Sequence, residues 1–290
     1  MSSVKAEKKQ TGNQEMIFLI SLIAAGIILY FPTFMYLWDR WMSDTQYSIA
    51  FLVPPISGYF IWKKWNDIKT IERKPTVVGL YIILFALIFH LTGIILDITG
   101  PSGVSLIILI VGLLMYLHSF EIVKLLWFPL AFLVFMIPVP GGVLDIVGLP
   151  LQMWASISTA SMLRTIGIDV YREGVNLSVP GFKFEVALAC SGMSSLVALV
   201  SVTAVFAYIS KLPTLYKWIL FALALPIALI ANIIRITTIA LVGYKWGPEA
   251  AGDIYHDYSS PILFMAAILF LFLLSWGFEW ISSRKKNTSS

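Results

Sequence analysis

A chain of 290 residues that is 59% hydrophobic and only 12% charged lacks the polar surface that a soluble globular protein needs. The net charge of +4 does not indicate a nucleic-acid partner, because the basic residues fall in short clusters between apolar runs, as in membrane topology. The single cysteine, Cys190, excludes an intrachain disulfide and a zinc site built from several thiolates. We therefore expect a membrane protein with no metal and no cofactor.

The N-terminal part of the chain has a polar tail, residues 1–15, which is predicted to be cytoplasmic. The apolar run from Met16 to Trp38 follows it without a small-residue cleavage site, so it predicts a retained first span rather than a signal peptide. Segments of spanning length, about 17 to 25 residues, recur along the whole chain. The eight predicted spans cover residues 16–38, 47–62, 76–96, 103–118, 122–140, 190–209, 216–243 and 261–281. They form one predicted domain, residues 16–283, which a second cytoplasmic tail, residues 284–290, follows.

Residues 147–166 form a further apolar segment, which is interrupted by polar side chains such as Ser156 and Arg164. This composition favours a helix that lies in the membrane interface. With eight crossings and the N-terminus inside, most of the 20 lysines and arginines lie on the inner side, as the positive-inside bias expects. A ninth crossing would move Lys211 and Lys217 to the opposite side from the earlier positive loops. The charges therefore favour two cytoplasmic termini.

Between the fifth and sixth predicted spans, apolar residues recur at every second position. Apolar and polar residues alternate on both sides of Pro180 and Gly181, which predicts a β-hairpin with one apolar face on the outer surface. The apolar positions are Val175, Leu177, Val179, Phe182, Phe184 and Val186. The predicted fold class is an all-α polytopic membrane protein with about eight transmembrane helices, an interfacial helix and a small β-hairpin on the outer face.

Three polar residues that are far apart in the chain are predicted to lie on this outer side: Cys190, Arg235 and His256. Cys190 opens the sixth span, where the backbone N–H groups and the dipole of a helix N-terminus favour a thiolate. The same N–H groups, with Gly192 allowing close approach, are suited to hold an oxyanion, and Ser191 is a further supporting residue. The alternative is a small apolar cysteine buried in the core.

Arg235 interrupts an apolar run at a cost on the order of 3 kcal/mol, so such a residue normally faces a polar cavity. Asn232 lies one turn earlier on the same helix face. Snorkelling to the interface or pairing with an acid is the alternative for the arginine. His256 has the side chain best suited to exchange protons near neutral pH, and either Asp257 or Asp253 could orient it. The alternative is a solvated loop histidine. Together these residues supply a nucleophile, a base and a fixed cation.

At these residues the sequence resembles the exosortase/archaeosortase family of prokaryotic membrane proteins. The specific motifs are Ala189-Cys190-Ser191-Gly192 and Ala231-Asn232 followed by Arg235-Ile236. Supporting matches are Leu52-Val53-Pro54-Pro55, Ile137-Pro138-Val139-Pro140, Pro150-Leu151-Gln152, Gly167-Ile168 and Gly174. His256 matches by position, after the arginine span and before the last span.

The resemblance implies a membrane-embedded cysteine peptidase or transpeptidase of the prokaryotic cell membrane. Its partners would be exported proteins with a C-terminal sorting signal, which consists of a short motif, a hydrophobic span and a basic tail. By this resemblance Cys190 is the nucleophile, His256 the acid and base, and Arg235 the cationic stabiliser. The new carboxyl end would pass to a lipid or cell-surface acceptor.

Three other interpretations remain open from the sequence. Water could be the acceptor, which would make the reaction plain proteolysis. The chain could instead be a transporter in which Arg235 binds an anion at a broken helix. A purely structural scaffold, finally, would need none of the three site residues.

Overall fold

The computed structural model describes residues 17, 20–43, 47, 49–96, 98–139, 141–186 and 193–288. Within these ranges, the side chains of residues 141, 143–145, 193–194, 253–258, 260 and 283–288 are not described. The chain divides into two compact units, Met1–Pro138 and Val139–Ser290. The single domain over residues 16–283 and its two flanking tails stay a prediction.

The described residues of the first unit are mostly helical. They are α1 (Ile20–Leu29), α2 (Phe31–Ser43), α3 (Val53–Lys63), α4 (Trp65–Thr70), α5 (Val77–Ile95), α6 (Thr99–Leu117), α7 (Phe120–Leu125) and α8 (Trp127–Phe132). Short 3₁₀ turns cover Ala50–Leu52 and Leu133–Met136. The long helices α5 and α6 pack along each other, and a methyl group at Gly79 would overlap the backbone of Tyr116, so glycine permits this close approach.

The predicted first span is broken near its middle. Helices α1 and α2 meet at Tyr30 with a bend of 60°. Pro32 stands in the first turn of α2, where its missing N–H and its ring disfavour an uninterrupted helix. Hydropathy detected the apolar run but not this break.

The predicted fifth span, residues 122–140, is also interrupted, because Pro129 has no N–H to donate to the carbonyl of Leu125. Lys64 Nζ donates to that carbonyl instead, at 2.9 Å. The carbonyl of Pro129 accepts from Ser57 Oγ at 2.6 Å, which ties α8 to α3. The segment consequently folds as α7, α8 and a 3₁₀ turn rather than as one long helix.

The second unit contains four helices and a small sheet. The helices are α9 (Gly141–Thr165), α10 (Met193–Ile209), α11 (Thr214–Trp246) and α12 (His256–Thr288), with a π-helical turn at Ala250–Tyr255. The segment predicted to lie in the interface, residues 147–166, belongs to α9. Its candidate span, Ile146–Thr165, has a mean hydropathy of 1.2, below the 2.1 to 2.4 of the other long helices.

The predicted hairpin is confirmed and gains a third strand. The sheet has the order β1 (Tyr171–Glu173), β2 (Asn176–Val179) and β3 (Phe182–Glu185), and both pairings are antiparallel. The turn at Pro180 and Gly181 has a positive φ of 81° at the glycine, a conformation that L side chains rarely adopt. The predicted apolar face forms one core with α9 and α11. Its buried members are Ala155, Ala160, Leu163, Val170, Leu177, Val179, Val186, Ile236 and Ala240.

Length and composition allow five of the described helices to cross a membrane, or six if the bent α1–α2 pair counts as one span. Three predicted spans appear as shorter helices: Val53–Lys63, Trp127–Met136 and Ser195–Ile209. The predicted count of eight is therefore not confirmed. A predominantly helical membrane protein with several apolar helices and one small sheet is what the structure shows.

Candidate active site

Helices α10, α11 and α12 pack together in the second unit. The four-residue connection between α10 and α11, residues 210–213, makes these two helices antiparallel neighbours. The C-terminal half of α11 therefore lies beside the N-terminal half of α10. A short connection at Gly247–Tyr255 returns the chain as α12, so the start of α12 is near the same end of α11.

Arg235 and Asn232 lie in this C-terminal half of α11 and are buried. Their exposed fractions are 6% and 4%, so neither side chain snorkels to an exposed surface of the protein. The spacing of three residues puts both on the same helix face. A buried guanidinium in an apolar bundle is costly unless its surroundings are polar, so its position needs an explanation.

A small cavity of about 20 Å³ borders both side chains, which is room for about one water molecule. It lies among all three helices. Its lining residues are Ser195, Leu199, Ala228, Ala231, Asn232, Arg235, Leu263, Phe264 and Ala267. Most of the lining is apolar, and its polar members are Ser195, Asn232 and Arg235. A functional role of Arg235 at this cavity stays a prediction.

The remaining predicted site residues are described only in part. Cys190, Ser191 and Gly192 lie outside the described residues, and α10 begins at Met193, three positions after Cys190. His256 and Asp257 are the first two residues of α12, and their side chains are not described. The structure thus brings Arg235 and Asn232 together at one cavity. The proximity of the Cys190, His256 and Arg235 side chains stays a prediction.

Both ends of the segment that carries Cys190 are tied to α11. On the N-terminal side, Val186 is 1% exposed and packs in the core that contains Ile236, the neighbour of Arg235. On the C-terminal side, Ser195 lines the cavity with Arg235 itself. Cys190 lies between these two anchors in the sequence, which limits how far it can be from Arg235.

The sheet is fixed to α11 by a close contact between Gly243 and Phe182. A methyl group at Gly243 would overlap the phenyl ring of Phe182, so only glycine lets the ring lie against the helix backbone. Phe182 also stacks on Phe184 with ring centroids 5.1 Å apart. Strand β3 therefore has a defined position immediately before the segment that contains the cysteine.

Sequence reasoning missed Ser195 as a member of this site. Ser195 stands three residues after Gly192, in the first turn of α10, and shares a helix face with Leu199. A helix predicted to start at Met193 would have placed Ser195 and Leu199 on one face and so indicated that both line the cavity. For metal binding, no group of three or more His, Cys, Asp or Glu side chains that could hold an ion occurs among the side chains that the structure describes.

Comparison with known protein families gives one match. The family model of transmembrane exosortases matches residues 41–273, which is most of the chain and includes α10, α11 and the cavity. Comparison with curated proteins and with solved structures finds no significant match. The length of the family match decides the assignment: this chain belongs to the transmembrane exosortase family.

Proposed function

We propose that this exosortase-family protein is a cysteine peptidase or transpeptidase that cleaves a C-terminal sorting signal of exported proteins. The observation that carries the proposal is the buried Arg235 at a cavity whose wall includes Ser195, five residues after the chain's only cysteine. The helix that begins with His256 forms the third side of the same cavity. The burial of Arg235 at this cavity supports the proposal that a nucleophile, a proton carrier and a fixed cation meet at one end of this three-helix bundle.

The local setting supports a reactive thiolate. Cys190 precedes the N-terminus of α10, where the helix dipole and the first unpaired N–H groups favour an anion. The positive guanidinium of Arg235 adds to this field, and both effects lower the pKa of a thiol. In a bundle with few charged groups, such fields are screened less than they would be in water.

The reaction proceeds in two acyl-transfer steps. His256 takes the proton of the Cys190 thiol, and the thiolate sulfur attacks the carbonyl carbon of the scissile peptide bond. The resulting oxyanion is held by donors from the α10 N-terminus and from Arg235. The C–N bond then breaks, and His256 donates a proton to the departing amine. In the second step an acceptor amine, hydroxyl or water loses its proton to His256 and displaces the sulfur from the thioester.

The substrate's own anchor explains how recognition can work with modest affinity. A hydrophobic span with a basic tail on the cytoplasmic side would hold the preceding motif at the outer interface. Confinement in the same bilayer raises the effective concentration of the motif at the enzyme. We accordingly propose the cell membrane as the location, with the site on the outer face and both termini in the cytoplasm.

A reporter cleavage assay tests this function. The reporter is a soluble domain joined to the C-terminal motif, span and basic tail of an exported protein encoded beside this chain, and it is placed with purified enzyme in phospholipid vesicles. Wild type should release the soluble domain with a new carboxyl end, and mass spectrometry should detect an acyl adduct on Cys190. Cys190→Ala should give neither product while remaining folded.

The same assay separates the peptidase from the transporter. Cleavage that requires both Cys190 and Arg235 supports the peptidase, and Arg164→Lys serves as the matched control because Arg164 is exposed on a different helix. If Cys190→Ala cleaved the reporter as well as wild type, or if wild type cleaved none of the co-encoded reporters, the proposed function would be wrong. Adding amine or lipid acceptors and weighing the product distinguishes transfer from hydrolysis.

A further inference from the structure

The two edge strands of the sheet differ in how their backbone groups are satisfied. The alternation of an antiparallel ladder decides which groups face outward. The N–H of Val186 donates to the carbonyl of Val175. Because every second residue of β3 bonds to β2, the backbone groups of Phe184 and Phe182 also point toward β2. The N–H and C=O groups of Lys183 and Glu185, which alternate with them, consequently point away from β2.

The two outward carbonyls that flank β1, those of Val170 and Gly174, accept hydrogen bonds from side chains. Arg164 Nη2 donates to the carbonyl of Val170 at 2.9 Å. Ser156 Oγ and Arg172 Nη1 both donate to the carbonyl of Gly174, at 3.1 Å and 2.6 Å. Two of these three donors come from α9, which packs against β1. Such caps are a common way to block pairing at an exposed strand.

The edge at β3 is open. In the part of the chain that the structure describes, the outward backbone groups of Lys183 and Glu185 make no hydrogen bond. Both residues are exposed, and their side chains lie on the polar face of the sheet, opposite the apolar core. An open row of alternating donors and acceptors is a template for one more strand.

We propose that the open edge of β3 is where the extended segment of the substrate binds, as an added strand that presents its scissile bond to Cys190. This inference rests on the function proposed above and names the binding surface of the same site. The occupant is an unfolded peptide segment rather than a helix, because the outward groups of β3 are spaced for another extended backbone. Main-chain hydrogen bonds would supply affinity with little dependence on side chains.

The position of β3 in the chain supports this assignment. Glu185 precedes Cys190 by five residues, a distance that an extended chain spans in at most about 18 Å. The contact between Phe182 and Gly243 holds the strand against α11, the helix that carries Arg235. A peptide paired with β3 would therefore extend toward Cys190 along a strand that is fixed against α11. Strand β1 lies at the opposite edge of the sheet, two strands away from β3.

Amide hydrogen exchange of the substrate-free protein tests the edge itself. The amides of Lys183 and Glu185 should exchange at least tenfold faster than those of Phe184 and Leu177, which donate within the ladder. Equal protection of all four amides would show that the β3 edge is already covered and would overturn the proposal. This measurement needs no reporter, so it does not depend on the proposed function.

Proline substitution tests the role of the edge in cleavage. Lys183→Pro removes an outward N–H without removing a ladder hydrogen bond, which an edge strand tolerates. It should lower reporter cleavage at least tenfold below Lys183→Ala, mainly through a higher KM. Arg172→Pro compared with Arg172→Ala makes the matched change at the β1 edge, because both variants lose the side-chain contact to Gly174, and the two should cleave at equal rates. Equal rates for Lys183→Pro and Lys183→Ala would refute the assignment while leaving the peptidase intact.

Disulfide trapping provides a second test if a proline variant misfolds. Replacing the only cysteine in Cys190→Ser allows a single new thiol at Lys183→Cys, and Tyr171→Cys on β1 serves as the control. A strand paired with β3 lies about 5 Å from it, so reporter cysteines at alternate positions should cross-link to residue 183 and not to residue 171. Cross-linking without alternation, or equally at both residues, would overturn the added-strand geometry. Failure of wild type to cleave any reporter would instead refute the proposed function.

Discussion

One cluster of buried polar side chains in each unit is arranged differently. In the first unit, Tyr30, Thr33, His90, Ser102 and Ser105 are at most 4% exposed and satisfy one another. The contacts are Tyr30 Oη with Ser105 Oγ at 3.0 Å, Thr33 Oγ1 with Ser102 Oγ at 2.6 Å, and Ser102 Oγ with His90 Nδ1 at 2.7 Å. In the second unit, Arg235 and Asn232 border a cavity instead. A closed network holds helices in place, whereas a polar group beside a space can act on a ligand.

The direction of the hydrogen bonds in the first network follows from its acceptors. The carbonyl of Leu29 can only accept, so His90 Nε2, at 3.3 Å, donates to it. In the neutral ring Nδ1 then accepts from Ser102, and Ser102 accepts from Thr33. The His90 ring also stacks on Tyr30 with centroids 4.0 Å apart, directly at the bend between α1 and α2. The ring stack on Tyr30 and the hydrogen bond to the Leu29 carbonyl therefore join His90 of α5 to the bend and stabilise it.

The largest effect that the comparison predicts is the loss of activity in Arg235→Lys. An ammonium cannot reproduce the planar set of guanidinium donors, so cleavage of the reporter should fall roughly 100- to 1000-fold, about 2.7 to 4 kcal/mol. The thermal unfolding midpoint should change little, because the positive charge remains. Cleavage within tenfold of wild type would contradict a direct role for Arg235, and Arg164→Lys controls for the loss of an arginine elsewhere.

Local patterns made part of this site predictable. The hairpin was found because apolar and polar residues alternate over five residues on each side of Pro180 and Gly181, which indicates the face that is buried. Arg235 was found because a charge in an apolar run has few explanations. Strand β1 was missed because it has only three residues, and its Tyr171-Arg172-Glu173 sequence is too short to show an apolar alternation. The breaks at Pro32 and Pro129 were missed because hydropathy reports composition, whereas a missing N–H acts on geometry.

The second prediction concerns stability rather than activity. His90→Ala removes a stacked ring and leaves Ser102 and the Leu29 carbonyl without this partner, which should lower the free energy of unfolding by about 2 kcal/mol. Denaturant unfolding in detergent would measure the loss. Reporter cleavage, normalised to folded protein, should remain near wild type. A cleavage defect as large as that of Arg235→Lys would remove the distinction between the two kinds of buried polar group.

The third prediction tests whether the sheet must stay fixed against α11. Gly243→Ala should lower stability by about 1 to 2 kcal/mol, because overlap with Phe182 outweighs the helix preference of alanine. The shift of β3 should also reduce cleavage several-fold. Gly277→Ala is the matched control, since an added methyl group in α12 meets nothing within 4 Å. Recovery of cleavage in Gly243→Ala with Phe182→Leu would identify the ring contact as the cause.

The smallest predicted effect is the coupling between Thr33 and Ser102 in the closed network. Thr33→Val and Ser102→Ala each remove one hydroxyl of a pair 2.6 Å apart, so a double-mutant cycle isolates their interaction. Hydrogen bonds between membrane helices average about 0.6 kcal/mol, and we expect a coupling of that size. A coupling free energy of zero would mean that this hydrogen bond does not stabilise the first unit. Because Ser102 also donates to His90, a coupling well above 1 kcal/mol would show instead that the network acts cooperatively and holds the bend as one unit.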